Sequence, residues 1–430
     1  MTKTNIRLSV CAAIAVALVG HSALAELMDR PSGIKIGQRM TLKPYVGVSA
    51  TYTSNADGGR DGNENVYWTV NPGLRLEYKA TNWSLDAGAE YSYHAYSKKR
   101  ANSQNDYHGI SQHLIYKWTN AARGERGWTL MLSESYRKTF EDNDYDAGRE
   151  YGTDRQIFSV AGALERNFGY GIHGDINAGY YWLDYDNNNH SGSRSGLYGW
   201  ERATVGAEVG WAPSKWLDFL VAGSYSHYDQ DNNSGYYSHS GNRPSSHSNG
   251  YTLQGGFGSY ATDHISYRLL AGWSRFEYGG GTHGRTANGF TYSASANWTI
   301  TSTWKTMLLA TSFYQPTERD YGGSQRVDAL SWGLAHSMVR GKLNSTFDIS
   351  YRHETPKYVW SNGAGQESGS DYTIDYLHFR LGLNYVLNRY LTFFGNFSYR
   401  MSVGGGNNDA RADNYTYNCF MATLGLRFTY

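Results

Sequence analysis

Apolar and aromatic side chains recur at every second position through segment after segment of this 430-residue chain. From Trp83 to Ala95 the odd positions read Trp83, Leu85, Ala87, Ala89, Tyr91, Tyr93 and Ala95, and the even ones Ser84, Asp86, Gly88, Glu90, Ser92 and His94. Successive side chains of a strand point to opposite faces, so this spacing predicts one face suited to hydrocarbon and one suited to water. Leu343, Ser345, Phe347, Ile349 and Tyr351 stand against Asn344, Thr346, Asp348 and Ser350 in the same way. So do Leu391, Phe393, Gly395, Phe397, Tyr399 and Met401 against Thr392, Asn396, Ser398 and Arg400.

Strands are predicted near 41–54, 65–79, 82–97, 106–119, 127–140, 152–166, 171–186, 198–211, 215–229, 249–262, 263–278, 287–300, 303–316, 325–338, 341–354, 371–387, 389–402 and 413–430. That makes about 18 strands of about 14 residues, with a few residues of error at each end. Short connections such as Ala80-Thr81-Asn82, Ala212-Pro213-Ser214, Thr301-Ser302 and Asn388 alternate with long polar ones near 55–64, 141–151, 187–197, 230–248 and 355–370. Short turns at one end and long loops at the other are the pattern of an outer-membrane barrel. A soluble two-sheet sandwich would turn polar residues outward; here every segment keeps an apolar face, and lipid is the cover that suits it. The predicted fold is therefore all-β, a transmembrane antiparallel up-and-down β-barrel of about 18 strands, or 16 or 20 if one hairpin is miscounted. No second domain or helical plug is predicted.

The chain ends on Thr423-Leu424-Gly425-Leu426-Arg427-Phe428-Thr429-Tyr430. Thr423, Gly425, Phe428 and Tyr430 occupy the polar, glycine, apolar and final aromatic places of a C-terminal insertion signal, which implies the barrel-assembly machinery as a partner. At the other end, Lys3 and Arg7 precede an apolar run from Leu8 to Val19 and then Ala23-Leu24-Ala25. Such a basic start, short apolar middle and small-residue site predict a signal peptide over 1–25 with cleavage near Glu26, a run too short to cross a bilayer as a helix. A short periplasmic lead-in is expected over 26–40 and the barrel over 41–430. Cys11 lies inside the apolar run and reads as a small apolar residue.

Composition sharpens the picture. Aromatics reach 15%, with 38 Tyr and 13 Trp, and Gly numbers 50 against 7 Pro. Tyr and Trp suit the membrane interface, where one end of the ring is in lipid and the other in water. Cys419 is the one cysteine after the signal peptide, so no internal disulfide is available. A formal net charge of +1, with no basic run longer than Lys98-Lys99-Arg100, excludes the electrostatic footprint of a nucleic-acid binder. Two segments strain the scheme. Glu134 follows Trp128, Leu130 and Leu132 in phase and would face lipid unless the strand has already left it. Pro72 cannot donate to a ladder, so a bulge or break is expected at Asn71-Pro72-Gly73.

From Leu42 to about Tyr136 the chain carries Leu42-Lys43-Pro44-Tyr45-Val46-Gly47-Val48 and Thr51-Tyr52-Thr53-Ser54-Asn55. These are followed by Asn71-Pro72-Gly73-Leu74-Arg75-Leu76, Tyr91-Ser92-Tyr93-His94-Ala95-Tyr96, and a polar loop with Asn105 and His108. This quarter of the chain resembles the beta-barrel porin 2 family of Gram-negative outer-membrane proteins. The resemblance implies the architecture, a multi-pass barrel in the cell outer membrane, and offers no catalytic residue to carry over.

Selectivity in a pore is set by inward polar positions. With Phe428 and Tyr430 toward lipid, Arg427 faces the lumen, and the same phase turns Arg352, Arg380 and Arg400 inward. Glu77, Asp86 and Glu90 on the early strands are inward as well. The expectation is a basic wall on the last strands meeting an acidic wall on the first, set against the plainer reading of scattered charges hydrating a large lumen. Three loops alternate acids before a glycine: Asp142, Asp144, Asp146, Gly148; Asp184, Asp186, Asn188; and Asp229, Asp231, Asn233, Gly235. They resemble the start of a calcium loop, but the glycine comes one place late and the distal Glu is missing, so solvated turns are the stronger reading. His239 and His247 share the longest loop with Tyr236 and Tyr237, which could fold inward or meet a sugar. No nucleophile elbow, zinc-protease helix or phosphate loop occurs, so neither an enzyme nor a cofactor is expected.

The sequence thus predicts an outer-membrane porin-like channel for passive diffusion of small hydrophilic solutes. It would contact outer-membrane lipid and lipopolysaccharide and no nucleic acid, with a homo-oligomer open. The alternatives are a surface adhesin or anchoring barrel with a blocked bore, or a barrel taking part in surface polysaccharide export.

Overall fold

The computed structural model describes residues 33–55, 64–98, 106–120, 126–139, 155–185, 199–230, 247–259, 262, 264–278, 285–316, 324–360, 367–368, 372–406 and 416–430. The stretch 1–25, read from the sequence as a signal peptide, lies outside them with its expected cleavage point. Twenty strands are formed: β1 (Ile34–Ile36), β2 (Met40–Thr53), β3 (Asn65–Lys79), β4 (Trp83–Tyr96), β5 (Asp106–Thr119), β6 (Gly127–Thr139), β7 (Arg155–Gly169), β8 (Ile172–Tyr185), β9 (Trp200–Ser214), β10 (Leu217–Gln230), β11 (His247–Gly258), β12 (Ile265–Tyr278), β13 (Arg285–Thr299), β14 (Trp304–Pro316), β15 (Ser324–Met338), β16 (Leu343–Trp360), β17 (Glu367–Ser368), β18 (Tyr372–Val386), β19 (Leu391–Gly406) and β20 (Tyr417–Thr429).

Each strand from β2 onward pairs antiparallel with the next, β16 passing to β18, and β20 returns to β2 from Tyr45↔Thr429 to Thr53↔Met421. With the short β1 and β17 set aside as additions to β2 and β16, eighteen strands close a barrel. Closure gives most backbone polar groups in the wall a ladder partner, as lipid requires. The outward positions carry the apolar residues that alternation predicts: Val46 and Val48 on β2, Trp68 and Leu74 on β3, Val205 and Val209 on β9, and Leu424, Leu426 and Phe428 on β20 are all exposed.

Aromatic rings gird the short-turn end. Tyr78 stacks on Trp83 at 4.3 Å, Trp211 on Phe219 at 5.9 Å, and Tyr390 on Phe428 at 6.0 Å and Tyr430 at 6.1 Å. The turns there are tied by their own side chains. Asn388 Oδ1 accepts the backbone N–H groups of Tyr390 (2.8 Å) and Leu391 (3.0 Å), and Asn167 Oδ1 accepts that of Gly169 (2.8 Å). Asn recurs at such places because its short amide can bond the backbone two residues on.

The structure bears on two expectations, at Pro72 and Glu134, and adds two features. At the end of the expected lead-in, Ile34–Ile36 pair with Met40–Leu42 as a small hairpin. Pro72 causes no bulge; the β2–β3 register runs through it unshifted, while the β3–β4 ladder skips Asn71 and Pro72 and resumes in the same register at Gly73↔Glu90. The missing N–H is thus confined to one side of the strand. Glu134 does face outward within the band, opposite Leu114 on β5 and Val160 on β7. The β13–β14 ladder ends at Ser293↔Thr311, although β13 stays paired to β12 as far as Arg285 and β14 to β15 as far as Pro316. Beyond that point the tip of β14 leaves the wall and lies against the inner side of β12 and β11.

Candidate functional site: the lumen wall

Parity fixes which side chains line the bore. Trp68 and Leu74 point out from β3, so Arg75 and Glu77 point in; Trp83 and Tyr91 do the same for Asp86 and Glu90 on β4. Tyr351 on β16, Leu381 on β18, Phe393 on β19 and Leu426 on β20 face out, which turns Arg352, Arg380, Arg400 and Arg427 inward.

The early acids do not form a separate acidic wall. Glu77 Oε1 accepts from Lys43 Nζ at 2.7 Å and lies 3.5 Å from Arg75 Nε. Arg75 also clamps Asp86 through two nitrogens, at 3.0 and 2.5 Å, and His113 Nε2 lies 3.4 Å from the same carboxylate. Glu90 accepts the Tyr45 hydroxyl at 2.8 Å. Lys43 and Arg75 share the inward phase of their neighbours, so the alternation that marks the acids also brings in their counter-charges. A two-pronged Arg–carboxylate contact is the stronger and more oriented kind of ion pair.

The basic strands are interlocked as well. Arg352 pairs with the fully buried Glu354, and register sets Arg380 opposite Asp348 and Arg400 opposite His378 and Cys419. Arg427 lays its guanidinium over Tyr45 and Phe394, 5.5 and 5.7 Å from the ring centroids. This joins the last strand to the first across the closure. Of the residues read from the sequence as an insertion signal, Thr423 bonds Thr51 at 2.8 Å across the same seam, and Phe428 and Tyr430 belong to the aromatic girdle.

Sequence reasoning missed a second charged group near the short-turn end. His173 on β8 bonds both oxygens of Asp218 on β10 at 2.9 and 3.0 Å, with side chains 4% and 1% exposed. Arg268 on β12 pairs with Glu208 on β9. Three strand spacings separate β9 from β12, about 14 Å of wall if flat, so the wall folds sharply here. Gly272 permits the fold: a Cβ there would run into the backbone carbonyl of Leu253 on β11. Leu220, Ala222 and Leu270 pack together inside the corner. Glu165, Asp175 and Glu208 stand in register on β7, β8 and β9, and Asn177 Nδ2 donates to Asp175 at 3.1 Å. Like charges opposite one another repel, which Arg268 relieves for Glu208. The parity count that singled out Glu77 would have found these residues too.

The bore is wet on one side and packed on the other. His113, inward on β5, keeps a side chain 41% exposed, and Asn396 on β19 is exposed inward as well. Across the β7–β14 side of the long-loop end, Ile157, Leu183, Trp200, Tyr228, Phe276, Ala287 and Tyr314 form a buried core. Tyr314 would point outward by parity; the inward lean of the β14 tip brings it inside. His239, Tyr236 and Tyr237 lie outside the described residues, and His247 begins β11, its ring stacked 5.6 Å from His227. Of the acidic loop series only Asp184 and Asp229 are described; Asp229 lies 3.4 Å from His247. Among the described residues no three His, Cys, Asp or Glu side chains are grouped to hold a metal ion.

No protein-family model matches the chain, and no curated protein matches it. Solved barrels are similar to it over most of their length. The siderophore receptor PirA from Acinetobacter baumannii shares 9% identity over 92% of this chain and 81% of that one, with a TM-score of 0.43. The FrpB iron transporter from Neisseria meningitidis shares 8% over 95% and 84%, at 0.45. The outer membrane protein opdK from Pseudomonas aeruginosa shares 11% over 90% and 99%, at 0.39. Superpositions this loose carry no argument about activity, and the fold assignment rests on the closed ladder of the chain itself.

Proposed function

We propose that this outer-membrane-type barrel is a channel for passive diffusion of small hydrophilic solutes, of the beta-barrel porin 2 kind. The observation that carries the reading is the placement of charge around a wetted lumen. Glu165 and Asp175 stand in register on the lumen side of β7 and β8, while His113 on β5 and Asn396 on β19 keep exposed polar side chains turned inward. Charged and polar side chains along a water-filled path orient and sort small polar solutes without binding them tightly. The early carboxylates, each held by Lys43, Arg75 or Tyr45, brace the wall.

Reconstitution into planar bilayers tests the proposal. Discrete conductance steps are expected, with ion selectivity that shifts toward cations in Arg400→Glu and with sugars competing against salt flux. Silence at all voltages would overturn it. The packed aromatic core at the long-loop end favours one rival, a surface-interaction barrel with a blocked bore. That rival predicts silence together with binding that depends on the long loops.

A further inference from the structure

We propose that this barrel pairs with a second copy of itself through the outer face of β5 and β6, around Gln112 and Glu134. Glu134 is a carboxylate on the lipid-facing side with an apolar or aromatic outward neighbour on each side along its strand, Leu132 and Tyr136, and with Leu114 and Val160 opposite. Gln112 on β5 lies among Ile110, Leu114 and Ala89 in the same way. Gln112 Nε2 donates to Glu134 Oε1 at 3.1 Å. That bond uses one amide hydrogen and one carboxylate oxygen; the second of each faces the bilayer, where no water can meet them.

A copy of the same face satisfies those groups, and membrane geometry favours it. Two copies in one bilayer are related by rotation about the membrane normal, which preserves depth. A two-fold axis between β5 and β6 sets each Gln112 opposite the other copy's Glu134 at one level, donor to acceptor on both sides. Such self-complementarity is what an isologous contact requires. Ala89 beside Gln112, and Gly162 opposite Leu132, let the two walls approach closely. The pairing is independent of whether the bore conducts.

Cysteine cross-linking in native outer membranes tests the contact, using full-length protein in a Cys419→Ala background. Leu114→Cys lies at the proposed axis, and Leu330→Cys on β15 faces lipid on the far side of the ring. Mild oxidation is expected to convert most of the Leu114→Cys protein to a disulfide-linked dimer and to leave Leu330→Cys monomeric. Adding Glu134→Leu and Gln112→Leu should reduce that yield several-fold while heat-modifiable mobility shows the barrel intact. A Leu114→Cys protein that stays monomeric, cross-links no better than Leu330→Cys, or links to a different protein would overturn the proposal.

Discussion

Gly425 on β20 sits directly beneath the ring of Phe394 on β19, in a space no side chain could share. A Cβ at Gly425 would lie 2.7 Å from both Ser49 Cβ and the Val48 carbonyl oxygen on β2, besides striking the ring. The place where the chain closes on itself is therefore built around a missing side chain. Gly425→Val should open the β2–β20 seam, with a loss of about 1–3 kcal/mol typical of an overpacked site. The folded fraction, read by the heat-dependent gel shift after refolding, should fall several-fold, and Gly425→Ala should lie between.

Arg75 holds Asp86 and Glu77 together on the wetted side of the lumen. Arg75→Gln removes one positive charge and leaves Lys43 beside Glu77 and His113 beside Asp86. Reversal potentials in a salt gradient should move toward cation preference, and Asp86→Asn should move them the opposite way. Equal shifts in one direction would show that these residues serve only the wall.

His173 and Asp218 are nearly sealed from solvent. Removing the His173 ring takes a hydrogen-bond partner from a buried carboxylate, at a cost of about 1–3 kcal/mol. His173→Ala should lower the urea midpoint of the barrel markedly, while His113→Ala, on the open side, should leave it nearly unchanged.

Tyr314 fills the long-loop mouth against Phe276 and Ala287. Tyr314→Ala should remove an aromatic from a packed site at a cost of about 3–5 kcal/mol. If the leaning β14 tip sets the narrowest part of the path, single-channel conductance should rise as the midpoint falls. A lower midpoint with unchanged conductance would place the constriction elsewhere.

Strand number, the order of short turns and long loops, and the inward or outward direction of nearly every residue were legible in the sequence, because a period of two is local and lipid enforces it on each strand separately. Glu77, Asp86, Glu90 and the four arginines were placed on the lumen side by counting alone, and Phe428 toward lipid by the pattern of the final strand. Distance around the ring was not legible. That Lys43 and Arg75 neutralise the early acids, that Arg268 on β12 reaches Glu208 on β9 across a folded corner, and that Tyr314 turns inward against its parity all depend on wall curvature. Parity tells a side chain which face to join; only the closed, bent sheet decides which strangers from other strands it meets there.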